Sequence, residues 1–349
     1  MPYPNIASSR AGHSYAYSPP TRGGTTQYTD DVSRTFTGPR TVLSLIATAV
    51  ASVGEILAPK QPYNESVHSI EFFAPIVKCS DANTSAVELI NHSLQKEMAT
   101  GDGTIVETDV AYYAFVPTFN ETGNFVPVST VRQQSPSNST NELWITFLRP
   151  TINETGARVK NRHYQVCRLH NATYSLKVSH DHGYQNFTGS YTVNELVPFP
   201  YDSPTSISNM AQHAYSAFMW VLCDQLVGKL SWYVDLALNN TNSSSPSLSK
   251  HGASQFGAIQ SQIQRTSLLG SLDLDAYFEL QDERGLYKKP GNGSLSPQRL
   301  MDKERARNRT LDVLIEELSF NISVGLMWDP LLTYVLGSYS LLRYVHRSH

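Results

Sequence analysis

Cys167-Arg168-Leu169-His170-Asn171-Ala172-Thr173-Tyr174 places a cysteine, an N-glycosylation sequon and the start of an extended segment within eight residues. From here the side chains alternate. Ala172, Tyr174, Leu176 and Val178 fall on one side, and Asn171, Thr173, Ser175 and Lys177 on the other. Period two is the period of a strand with one buried face, and the face carrying the sequon is expected to stay wet. A second segment of this kind, 187–197, follows the turn composition Asp181-His182-Gly183-Tyr184, so the pair predicts an antiparallel hairpin.

Upstream, residues 67–79 carry Ile70, Phe72, Phe73, Ile76 and Val77 and predict another strand, as do aromatic 106–119 and apolar 143–148. Residues 81–98 interrupt them with helical spacing of Val87, Leu89, Ile90 and Leu94. A short helix is expected over 40–57, with Val42, Leu43, Ile46, Val50, Val53 and Leu57 on one side. Residues 1–38, with Pro19-Pro20 and Gly23-Gly24 and no periodicity, predict a disordered arm. Past residue 200 the pattern turns helical over 207–235, 256–269 and 310–327, with loops at 239–252 and 284–296 between the last three segments. The expected class is therefore α+β: a disordered arm (1–38), an antiparallel β-rich half with a hairpin and short helices (39–200), and a helical half (201–349) packed on it as one composite domain.

The segment 310–327 has two apolar stripes. Leu311, Leu314, Ile315, Leu318, Ile322 and Leu326 form one, and Val313, Phe320, Val324 and Met327 gather on the opposite side. A helix covered on both sides is expected, with Glu316 and Ser323 on the flank between the stripes.

Charged residues are 16% of the 349, against about 25% in ordinary globular chains. A net charge of -3 excludes a dedicated nucleic-acid surface. The basic run from Arg305 to Arg309 follows Asp302 and Glu304 and predicts a solvated helix start. Polar surface must come instead from Ser, Thr, Asn and Gln. Asn-x-Ser/Thr occurs at Asn64, Asn83, Asn91, Asn120, Asn138, Asn153, Asn171, Asn186, Asn239, Asn242, Asn292, Asn308 and Asn321, that is, at 13 of 20 asparagines. Chance placement would give about four, so the set points to N-glycosylation in the secretory pathway. Asn64, Asn120, Asn138, Asn153, Asn239, Asn242 and Asn292 sit in predicted connections and are expected to be exposed.

Such a compartment is oxidising. Of three cysteines, Cys79 and Cys167 lie at the ends of strand-like segments and are expected to form a disulfide. Cys223 sits in Phe218-Met219-Trp220-Val221-Leu222-Cys223 and is expected to be a buried free thiol. The start, Met1-Pro2-Tyr3-Pro4-Asn5, lacks the apolar core of a secretory leader. The longest apolar stretches, 42–54 and 330–342, are shorter than the roughly 20 residues a bilayer requires. A lumenal chain without an entry segment is expected to be joined to membrane helices not contained in this sequence; otherwise its sequons go unused.

Chemistry-bearing motifs are sparse. His180-Asp181-His182 offers two imidazoles and a carboxylate to a metal, but alternate residues of a turn diverge and a hairpin turn explains them. Asp273-Leu274-Asp275 resembles the paired carboxylates that hold a metal and a sugar nucleotide in glycosyltransferases, without the nucleotide-binding unit that accompanies them. Glu316 and Glu317 are adjacent and point about 100° apart on a helix, so they are no facing acid–base pair. No Gly-x-Ser-x-Gly, Gly-x-Gly-x-x-Gly, phosphate loop or His-Glu-x-x-His is present, and no cofactor or metal is expected.

Ala74-Pro75-Ile76-Val77-Lys78-Cys79, Leu143-Trp144-Ile145, the opening octapeptide and Ile315-Glu316-Glu317-Leu318-Ser319-Phe320-Asn321-Ile322-Ser323 carry a resemblance. In order and spacing, over residues 40–340, the chain resembles the extracytoplasmic domain of uncharacterised multi-pass membrane proteins of filamentous ascomycete fungi. The resemblance implies location and topology, with membrane helices before and after the domain, and no activity. A glycosylated, disulfide-bonded, non-catalytic ectodomain of structural or interacting role, with an unidentified partner, is thus expected. The alternatives are a secretory-pathway enzyme acting on glycans through Asp273/Asp275 or His180/His182, and a truncated product with no role of its own.

Overall fold

The computed structural model describes residues 26–28, 36–57, 65–98, 105–120, 124–128, 140–152, 154, 158–181, 184–199, 207–235, 254–274 and 305–328. The class is α+β, built on an eight-stranded antiparallel sheet. Its path runs β10 (Ser254–Ser261), β9 (Gly228–Asp235), β4 (Ile105–Phe119), β6 (Glu142–Ile152), β7 (Arg158–Asp181) and β3 (Glu65–Asp81). Two more strands pair off this path: β5 (Phe125–Val128) with β4, and β8 (Tyr184–Leu196) with β7. The expected hairpin is β7–β8; its strands pair from Asp181↔Tyr184 to His170↔Leu196. The 24-residue β7 pairs with β3 on one side and, end to end, with β6 and β8 on the other.

Helices α1 (Thr41–Val53), α3 (Ile207–Leu226) and α4 (Leu311–Trp328) build the main core with one sheet face: Leu43, Val50, Tyr112, Ile145, Leu169, Phe218, Leu222, Leu318 and Ile322 are all buried there. Helix α2 (Thr84–Met98) covers the other face through Ala86, Ile90 and Leu94, over Val110, Tyr113, Phe115, Trp144 and Val166. Alternation along β4 divides the two cores, with Tyr112 and Ala114 facing one and Tyr113 and Phe115 the other. Strand β5, which carries no clear signal of its own, brings Phe125 into a stack on Trp144 with ring centroids 5.5 Å apart.

Helix ends follow local chemistry. Asn83 accepts from the Ala86 amide and caps α2. Gly54, at φ 77°, ends α1 with its amide on the Val50 carbonyl.

Three expectations past and before the core are corrected. The helix expected over 207–235 stops at Leu226. Gly228 adopts φ 127° and has no room for a Cβ, which would lie 2.1 Å from the Gln260 carbonyl oxygen. Only glycine allows that turn, and Leu230 and Trp232 then alternate into the main core as a strand. The helix expected over 256–269 is instead β10 followed by two 3-10 turns, Gln262–Arg265 and Ser267–Gly270. Ser261 and Thr266 accept from the amides of Ile263 and Leu268, the side-chain capping that competes with a continuous helix. Strands therefore also follow the first long helix. In the arm expected to be disordered, β1 (Thr26–Tyr28) and β2 (Phe36–Pro39) pair as a ribbon. Gly38, at φ 128°, sits against the Trp220 ring; the rest of the arm before residue 36 lies outside the described residues. Among the described residues, no helix is long and apolar enough to cross a membrane.

Candidate binding cleft

The segments that carry the resemblance meet along one line. Among the described residues strand β3 is a sheet edge, and its outward backbone groups have no strand beside them. Helix α4 lies along this edge and supplies the missing partners from side chains. Ser319 Oγ accepts from the Val77 amide at 3.1 Å, Glu316 Oε1 accepts from the Cys79 amide at 3.0 Å, and Ser323 Oγ donates to the Pro75 carbonyl at 2.6 Å. Pro75 has no amide to satisfy on this edge. Spacings of three and four residues place these groups on one helical line.

This explains the two apolar stripes of α4. The helix straddles the edge, with Leu318 and Ile322 in the main core and Val324 in a second cluster with Phe72, Ala74, Ile76, Tyr174 and Leu176. The two-sided cover expected of α4 holds for Val324 at 0% exposure and is partial for Phe320, which is half-buried; Val313 is 45% exposed. Ser319 and Ser323, at the seam, are fully buried. The burial of Ser323 departs from the expected flank, and both hydroxyls are buried because each answers a backbone group of the edge.

Cys79 and Cys167 face each other across the β3–β7 ladder and are bonded, with Cα atoms 3.9 Å apart. The short separation fits a pair whose own amides and carbonyls point away from each other, as the Cys79 amide does toward Glu316. Cys223 is free and buried, and burial pushes its thiol pKa up.

Between α4 and the outer end of the β7–β8 hairpin lies an open cleft of 820 Å³, within the roughly 300–1,000 Å³ of small-molecule sites. Phe187, Gly189 and Tyr191 alternate along β8 on the side of Leu176 and Tyr174, while α4 contributes Val313, Glu316, Glu317, Phe320 and Asn321. A Cβ at Gly189 would strike Leu176 at 2.2 Å, so the Leu176 side chain fills the space between the two rings that a side chain at 189 would take. Phe320 stacks on Tyr174, centroids 5.3 Å apart, and tilts against Tyr191.

The charges at the cleft are already matched. Glu316 holds Lys78, Glu317 holds Arg309, and Glu55 holds Arg305. Burial opposes the charge on Lys78, but its bonds to Glu316 and to the Tyr191 hydroxyl outweigh this and raise its pKa. Lys78 also lies over the Tyr191 ring, 5.6 Å from its centroid.

Other anticipated site residues are spent on structure or lie elsewhere. Asp273 is 2% exposed; its Oδ2 accepts from the Leu311 amide at the start of α4, and both oxygens bind Arg149. That carboxylate is an ion-pair partner and helix cap, which counts against the alternative in which Asp273 serves a glycan-acting site; Asp275 lies outside the described residues. His180 pairs with Ser66 and Gln185 in the sheet, and His182 lies outside the described residues. Among the described residues no group of three His, Cys, Asp or Glu side chains is placed to hold a metal.

Of the sequons, Asn83, Asn120, Asn186 and Asn308 are exposed and Asn91 is half-buried, accepting from the Tyr164 hydroxyl. Asn171 is 4% exposed and accepts from Tyr215 on α3, so the wet face begins only beyond it, at Thr173, Ser175 and Lys177. The expected wetness of Asn171 is overturned because α3 extends over that end of β7. Asn321 is 6% exposed and donates to the Gly54 carbonyl. Asn64, Asn138, Asn153, Asn239, Asn242 and Asn292 lie outside the described residues.

The cleft was not anticipated from sequence as a site. Its one local signal is Phe187-x-Gly189-x-Tyr191, aromatic, absent and aromatic side chains on one face of a strand. Compared with family models, curated proteins and solved structures, the chain matches none.

Proposed function

We propose that this chain is the glycosylated, extracytoplasmic part of a membrane protein of the fungal type it resembles, acting by interaction and not by catalysis. One observation carries the compartment: a disulfide joins β3 to β7 in register at the sheet edge, in a chain that exposes the sequons Asn83, Asn120, Asn186 and Asn308. The single cluster that unites α1, α3, α4 and the sheet supports one composite unit. The role of the cleft as an interaction site, with no reaction, is supported by the internal pairing of Glu55, Glu316 and Glu317 and by the structural use of Asp273.

The test is a peptide map of the protein secreted from a eukaryotic host behind an added leader. Glycans are expected on Asn186 and Asn308, none on the buried Asn171 and Asn321, with Cys79 bonded to Cys167 and Cys223 alkylatable only after unfolding. Unmodified Asn83, Asn120, Asn186 and Asn308, together with reduced Cys79 and Cys167 in protein from its natural cells, would overturn the assignment.

A further inference from the structure

We propose that the cleft between α4 and the β7–β8 hairpin binds a neutral saccharide, one ring seated against Phe187, Tyr191 and Phe320. The proposal rests on the interaction role above and names its ligand class. In an extended strand, Phe187 and Tyr191 are about 13 Å apart at Cα, and the Leu176 side chain fills the space over Gly189 between them, which gives the cleft an apolar floor. An aromatic face carries negative potential and attracts the slightly positive C–H face of a sugar ring. Three aromatic residues, Phe187, Tyr191 and Phe320, line this one cleft, and each is only half-buried.

Charge decides against an ionic ligand. Every carboxylate lining the cleft already has a cation: Lys78 for Glu316, Arg309 for Glu317 and Arg305 for Glu55. An anion would have to displace a carboxylate from Lys78 or Arg309, and a cation would have to displace the lysine or arginine. A neutral polyhydroxylated ligand accepts from the arginine and donates to the carboxylates while both pairs stay intact. The open, partly polar shape suits a ligand that keeps one side in water, and disfavours a fully apolar one.

The experiment titrates the secreted, disulfide-intact protein, its own N-glycans trimmed enzymatically, with chitotetraose, mannotetraose, laminaritetraose and, as the charged comparison, tetragalacturonate. Saturable NMR shifts at Gly189, Tyr191 and Phe320 are expected with at least one neutral tetrasaccharide and not with the uronate. Val313→Arg fills the cleft mouth from an exposed helix position that tolerates arginine. It is expected to weaken binding at least tenfold without changing the melting temperature. Phe187→Ala is expected to weaken it similarly. The proposal is overturned if no neutral probe produces shifts at millimolar concentration, if the uronate binds more tightly, or if binding survives both substitutions. Cleavage of a bound probe supports the site and sinks the non-catalytic role. Absence of binding from a protein with mapped glycans and an intact disulfide sinks the saccharide and leaves the compartment standing.

Discussion

Helices α2 and α4 serve the same sheet by different physics. Helix α2 lies flat on a face and is held by Ala86, Ile90 and Leu94, while Glu88, His92, Gln95 and Lys96 stay in water. Helix α4 lies along an edge, where burying apolar surface is not enough, because the strand beside it presents unpaired amides and carbonyls. Each helix contains a fully or nearly buried serine. On α2, Ser93 donates to the Leu89 carbonyl one turn back, a bond internal to the helix. On α4, Ser319 donates to the Glu316 carbonyl and accepts the Val77 amide of another element. The same residue type is thus dispensable in one place and a substitute for a missing strand in the other.

The largest expected effect breaks the start of α4. Asp273→Ala leaves Arg149 without its carboxylate and the Leu311 amide without an acceptor, at a cost of about 3–5 kcal/mol. The partial exposure of Arg149 places the value toward the lower end of that range. Urea unfolding measures it. A variant as stable as the parent would show that Asp273 does not anchor the helix and would reopen its reading as a ligand-binding carboxylate.

Next comes the serine comparison itself. Ser319→Ala leaves the Val77 amide buried without an acceptor, a loss of about 1–3 kcal/mol, whereas Ser93→Ala is expected to stay within about 0.5 kcal/mol of the parent. Amide exchange localises the effect. The Val77 amide should exchange faster in the Ser319 variant only. Equal losses in the two variants would mean that the edge contact contributes nothing beyond helix packing.

This contrast also marks how far the sequence could be read. Flat-lying α2 obeys one periodicity, and its place within 81–98 and the burial of Ile90 and Leu94 are legible, whereas Asn83 reads only as a sequon and its capping role shows in the structure alone. The hairpin β7–β8 and the Cys79–Cys167 pair were legible for the same reason, since a period of two and an oxidising compartment act locally or through few partners. The stripes of α4 were legible, but not what separates them, because Ser319, Ser323 and Glu316 answer to atoms more than 200 residues away in the chain. The strands β9 and β10 were hidden by apolar runs that suit either state; the deciding signal was Gly228, whose need for positive φ depends on the Gln260 carbonyl across the ladder. The cleft depends on Gly189 in the same way, through Leu176.

The smallest effect sharpens the electrostatics at the edge that α4 guards. His170 is half-buried beside Arg168, Lys78 and Glu316, and its Nδ1 donates to the Arg168 carbonyl. Burial lowers its pKa below the ordinary value of 6.5, the Arg168 and Lys78 charges add to the lowering, and the Arg168 carbonyl and Glu316 oppose it in part. The folded state therefore binds fewer protons than the unfolded chain at pH values between the lowered pKa and 6.5. Stability from this group is complete above the unfolded pKa and falls as pH drops through that window. Thermal unfolding of the parent and of His170→Gln, followed from pH 7.5 to 5, separates this contribution from the carboxylates. The parent is expected to lose stability more steeply over the window, and the two curves to run parallel above it. A steeper fall in the variant would mean that Glu316 governs the imidazole and that protonation strengthens the edge.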